Sequence, residues 1–82
     1  MIQCRVLLFA RARELAGVAE LAMTFSECAR VADVRRDLAA RFPALAALLP
    51  RCAVAINGEY ADDAAPMPAD AELAIIPPVS GG

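Results

Sequence analysis

The sequence predicts an α+β fold, a mixed sheet of four to five strands with one main helix packed on one face. Three observations predict it. Residues 2–9 and three later segments alternate side chains at the period of a strand. Residues 31–42 instead repeat apolar side chains at spacings of three and four, the period of an amphipathic helix. Asn57-Gly58 and Pro77-Pro78 supply a turn and a stop between and after these segments. With 82 residues, the chain makes one small domain with one core.

The elements follow in order. In residues 2–9, Ile2, Cys4, Val6 and Leu8 share a core face, and Gln3, Arg5, Leu7 and Phe9 share the other. Residues 10–16 hold good helix formers, enough for one or two turns, and Gly17 is the expected C-cap. Residues 18–25 read as a second strand, antiparallel to the first, with Leu21, Met23 and Phe25 on one face. The main helix over 31–42 sets Val31, Val34, Leu38 and Phe42 on one stripe, with Asp33 in its first turn and Arg41 in its last. Arg30 is a poor N-cap. Pro43 ends this helix or opens a short one through Leu45, Leu48 and Leu49, closed by Pro50.

Residues 52–56 alternate again, with Cys52, Val54 and Ile56 inward and Ala53 and Ala55 outward. Residues 59–61 can return after the Asn57-Gly58 turn as a very short strand, and 62–71 is loop. Residues 72–76 form the last strand, with Leu73 and Ile75 inward. Pro77 and Pro78 cannot donate to a ladder and stop it. The order is ββαββ with a short helix in the first connection, and the first and last strands are expected as parallel central neighbours. Residues 1–78 form the domain and 79–82 a flexible tail.

Composition removes several functions. Apolar residues are 60% of the chain, which excludes a disordered linker. The net charge is −2, and the eight basic residues, all arginine, are scattered without interleaved aromatics, which speaks against nucleic-acid binding. No apolar run approaches the roughly 20 residues of a membrane span. The N-terminus carries Arg5 inside its apolar run and reads as a strand, not a signal peptide. Histidine is absent, removing the commonest metal ligand and general base. Asp62-Asp63 is an adjacent pair in a loop with no third ligand near, so no metal site is expected. Cys4, Cys28 and Cys52 are odd in number and widely spaced, which implies no disulfide framework and a reduced, cytoplasmic setting. Cys4 and Cys52 fall on inward faces. Cys28 lies in a loop and is the one candidate for reactivity.

Three segments carry a resemblance: LLFARARELAG at 7–17, AINGEY at 55–60, and IIPPVSGG at 75–82. With the element order, they resemble the ubiquitin-like β-grasp sulfur-carrier family, and within it the small subunits of molybdopterin synthase, the MoaD type. The last eight residues match the pattern at every position, and Arg30 departs from it where a Thr or Ser cap is usual. The resemblance implies that Gly82 is adenylated with ATP by an E1-like enzyme of the MoeB type. A sulfur donor then converts it to a thiocarboxylate. The charged protein docks on a large catalytic subunit of the MoaE type, where the sulfur builds the dithiolene of molybdopterin. It implies no bound cofactor, and no catalytic residues on this chain beyond the reacting terminus.

The tail suits such chemistry. Adenylation turns a poor electrophile into a mixed anhydride that must be shielded from water. Gly81 and Gly82 have no Cβ to clash in a narrow channel. Four extended residues, Val79, Ser80, Gly81 and Gly82, reach about 13–14 Å, and Pro77-Pro78 stiffens their base. Chance places Gly-Gly at a chain end about once in two hundred sequences.

By the period of two, Leu7, Phe9 and Ile76 lie opposite the core, with Ala53 and Ala55 between or beside them and Tyr60 at the rim. Such an apolar patch marks a partner surface, and the resemblance adds Pro77, Pro78, Val79 and Ser80 to it. The competing expectation is that a curled sheet edge or the 62–71 loop covers these residues. Other functions remain open: a carrier for thiazole or cysteine synthesis, a modifier conjugated to lysines, or an interaction module with an inert tail.

Overall fold

The computed structural model of this chain describes residues 1–78; the expectations for Val79, Ser80, Gly81 and Gly82 lie outside the described residues. Five strands form one mixed sheet: β1 (Ile2–Leu8), β2 (Glu20–Phe25), β3 (Ala53–Ile56), β4 (Glu59–Ala61) and β5 (Ala71–Ile76). Their spatial order is β2-β1-β5-β3-β4. β1 and β5 are parallel, with Val6 opposite Leu73 and Leu8 opposite Ile75. β2 runs antiparallel to β1, and β3 antiparallel to both β5 and β4. The first and last strands are the parallel inner neighbours that the sequence predicts. The order is ββαβββ, because residues 59–61 do pair with β3.

Two α-helices complete the fold, α1 (Ala10–Ala16) and α2 (Val31–Arg41), with 3-10 turns at Pro43–Leu45 and Leu49–Arg51. α2 lays Val31, Val34 and Leu38 on the sheet, all fully buried. They meet one core with Val6, Leu8, Met23, Val54, Leu73 and Ile75, closed below by Leu45, Leu49 and Met67. Burying each such side chain contributes about 1.5–3 kcal/mol, and no buried side-chain N or O among the described residues lacks a partner.

The start of α2 has a non-local solution. Arginine has no side-chain acceptor for a cap. The Asp33 carboxylate accepts the Arg30 backbone N–H at 2.8 Å instead. Carbonyls of the following loop take the next two donors: Val31 N–H bonds Ala65 O at 3.0 Å and Ala32 N–H bonds Asp63 O at 3.1 Å. The Arg30 guanidinium returns to Ala64 O at 2.6 Å. The Arg35 guanidinium donates to Asp63 at 2.7 Å and to Leu49 O. Residues 62–67 therefore pack on the end of α2, on the helix side of the sheet.

Boundaries shift where local chemistry competes with alternation. Phe9 leaves the strand, because its carbonyl accepts the Ala12 and Arg13 N–H groups as the N-cap of α1. Gly17 closes α1 in the left-handed region at φ 79°. The second strand begins at Glu20, not 18; Val18 is solvent-facing. Cys52 is buried as expected but caps a 3-10 turn instead of opening β3. Ala55 has the outward register yet is 8% exposed, since the strands on both sides hem in so small a side chain.

Candidate functional site

The sheet face opposite α2 is built by register. Paired residues in neighbouring strands point the same way. Leu7 pairs with Glu20 on one side and Ala74 on the other; Ala74 pairs with Ala55, and Ala55 with Tyr60. One lateral row therefore reads Glu20–Leu7–Ala74–Ala55–Tyr60. A second row, one step nearer the end of β5, pairs Ile76 with Ala53. Leu7 and Ile76 are half-buried, Phe9 is 46% exposed and Tyr60 78% exposed. Leu7 and Phe9 line one shallow groove with Arg13, Glu20 and Glu72.

The structure thus brings Leu7, Phe9, Ile76 and Tyr60 to one face, with Tyr60 at its β4 rim. Of the 62–71 stretch, the competing cover, residues 62–67 pack against α2 on the other side, and Ala71 already belongs to β5. Ile76 leads to Pro77, half-buried, and Pro78, exposed. The strip ends where the last four residues begin.

A charged island borders the strip. Arg5 pairs across the ladder with Glu72 and lies 3.6 Å from Glu20. The hydrogen bond and charge of Glu72, with the charge of Glu20, hold its guanidinium above its ordinary value. All three side chains are about half exposed, so the pairs stabilise the fold little. Sequence reasoning passed over Glu72 and Ala74. Both share the outward parity of Ile76 on β5; what the β1–β5 register adds, and no local pattern reveals, is their partners, Glu72 beside Arg5 and Ala74 beside Leu7.

Cys4 and Cys52 are buried and Cys28 exposed, all three as free thiols. Burial pushes both the Cys4 and the Cys52 thiol up. Among the described residues no His, Cys, Asp or Glu cluster could hold a metal ion, and no helix is long and apolar enough to cross a membrane.

The ThiS family profile matches residues 6–82. The chain belongs to the ThiS family. The molybdopterin synthase sulfur carrier subunit of Arabidopsis thaliana is 41% identical to this ThiS-family chain, over 99% of it and 84% of the relative. The subunit of the same name from Chlamydomonas reinhardtii is 39% identical, over 99% of this chain and 100% of its own. Two crystal structures of small archaeal modifier protein 1 from Haloferax volcanii superpose with a TM-score of 0.87. They are 32% and 29% identical and cover 98% and 96% of this chain, and 99% and 100% of theirs. The ThiS-family fold is the β-grasp. A Helicobacter pylori complex of subunits 1 and 2 of molybdopterin-converting factor shares the fold at 20% identity and a TM-score of 0.71, over 99% of this chain and 100% of the matched one.

Proposed function

We propose that this chain is the sulfur carrier subunit of a molybdopterin synthase, a substrate arm and not itself a catalyst. The observation that carries this reading is the match over nearly the whole chain to curated sulfur carrier subunits of that synthase. Gly82 is the reacting residue. An activating enzyme joins its carboxylate to AMP from ATP, and a sulfur donor displaces the AMP to leave a thiocarboxylate. Gly81 offers no side chain to obstruct entry into the foreign site. The terminus then gives its sulfur to a pterin precursor on a large subunit, in the cytoplasm.

The face of Leu7, Phe9, Ile76 and Tyr60 docks on these partners, and Pro77, Pro78, Val79 and Ser80 carry the terminus onward. Two features support this. The apolar strip is open, and it runs to the last described residues before the glycines. The Helicobacter pylori complex joins a protein of this fold to a second subunit, and a large subunit is the partner proposed here.

The intact mass of protein purified from its native host tests the reading. One oxygen replaced by sulfur at Gly82, copurification with a larger subunit, and lost molybdoenzyme activity on deleting Gly82 are expected. An unmodified terminus with full activity after that deletion overturns it. A Leu7→Asp, Ile76→Asp variant is expected to keep its fold and bind the large subunit at least about tenfold more weakly, or 1.4 kcal/mol. A protein-modifier reading is favoured by the likeness to small archaeal modifier protein 1, and isopeptide ladders on other proteins would support it.

A further inference from the structure

The reading of Gly82 as an activated acyl group raises the question of what could attack it. Amines acylate readily at neutral pH through their unprotonated fraction, whereas guanidinium stays protonated. None of the 82 residues is lysine. Where the last described residues leave the sheet, the basic side chains are arginines. Leu8 pairs with Ile75, so α1, which follows β1 directly, lies at the same pole as Pro77 and Pro78. That helix carries Arg11 and Arg13, both exposed. Val18, 39% exposed, follows α1 in the same connection, where Ala19 O accepts the Leu8 N–H at 2.8 Å. The Met1 amine lies at the opposite pole, 3.8 Å from the Glu27 carboxylate. The six strand steps from Ile2 to Leu8 separate the two poles by roughly 20 Å. Four residues of tail span at most about 14 Å beyond Pro78.

We propose that the all-arginine pole where Pro77 and Pro78 leave the sheet makes this chain inert toward its own activated terminus, so that the adenylate survives for the sulfur donor. This rests on the function proposed above. The step excluded is aminolysis. An amine nitrogen attacks the Gly82 carbonyl carbon, a C–N bond forms, and the C–O bond to phosphate breaks. AMP leaves with the bonding pair, and the nitrogen gives its proton to solvent. Within one molecule the product is a lactam; between molecules it is a carrier chain. A lysine at the pole of Pro77 and Pro78 supplies the missing nucleophile within reach, and a lysine at the far pole does not.

The test compares wild type with Arg11→Lys, Val18→Lys and, as the far-pole control, Glu27→Lys. Each is incubated with the activating enzyme and ATP without a sulfur donor, and intact masses are followed. Hydroxylamine trapping in parallel measures the adenylate formed. At least one near-pole variant is expected to yield a monomer lighter by one water, while wild type and Glu27→Lys show only the free or adenylated chain. Two near-pole sites guard against a substitution that itself disturbs activation. The proposal is overturned if near-pole variants trap as hydroxamates like wild type yet form no amide, or if wild type forms the lactam. Absence of a hydroxamate from wild type overturns the underlying assignment of Gly82 as an activated terminus, and is thereby distinguished.

Discussion

Cys4 and Cys52 show how burial governs chemistry at single residues. Both thiols face the core, and desolvation favours their neutral form; at Cys52 the charges of Arg35 and Arg51 pull the other way and are outweighed. The Cys52 thiol also donates to Leu48 O at 3.4 Å. The sulfur that this chain is proposed to carry is therefore not expected to pass through either side chain. A native-state thiol titration should label Cys28 alone, and unfolding should release the other two; rapid labelling of two thiols in folded protein would contradict the burial. The same shifts have a sign in stability. A thiol held protonated in the folded state stabilises fully below its unfolded pKa, and that contribution is lost as pH climbs through the folded one. Urea midpoints should fall above about pH 8.5, and fall less steeply in Cys4→Ala. An equal slope in both proteins would count against the shift at Cys4.

At the scale of elements, Arg35 fastens α2 to two segments distant in sequence, the 62–67 loop through Asp63 and the second 3-10 turn through Leu49 O. Its side chain is 18% exposed, against 60% for that of Asp63. Arg35→Ala should cost about 1–3 kcal/mol, since the Leu49 carbonyl loses a charged hydrogen bond and keeps only the Cys52 N–H, whereas Asp63→Ala should cost less than about 1 kcal/mol. Chemical denaturation of both variants checks the ranking, and equal losses would show that the ion pair, not the carbonyl bond, matters. The same region marks where the sequence stops being readable. Alternation in residues 2–9 and the stripe of Val31, Val34, Leu38 and Phe42 are local signals, and each element sits within one residue of where they put it, Phe9 and Phe42 falling just outside as caps. The start of α2 depends on carbonyls of Asp63 and Ala65, more than 30 positions away, and no local pattern encodes that. On the candidate face, Leu7 and Ile76 were legible from strand parity alone. Glu72 and Ala74 share that parity, but their pairing with Arg5 and Leu7 needed the β1–β5 register, which long-range packing sets.

Across the whole molecule, one core holds everything. Leu73 sits on β5, between β1 and β3, fully buried. Leu73→Ala should cost about 2–5 kcal/mol, a large share of what a domain of this size has. A thermal melt should shift far more for it than for a Tyr60 substitution at the exposed rim, and similar shifts would overturn the assignment of Leu73 to the core. Because β1 and β5 are parallel neighbours, residue 2 and residue 76 sit at opposite poles of the same ladder. That arrangement has a mechanical meaning. A pull on the C-terminal arm against an anchor at the N-terminus slides β5 along β1 and loads all their hydrogen bonds together. A pull between β4 and β5 would peel bonds one at a time. In single-molecule stretching, the end-to-end direction should yield at clearly higher force than a direction through Ala61, and equal forces would refute the shear geometry. A carrier proposed here to send its C-terminus into other proteins' channels is thus anchored along the axis of the pull.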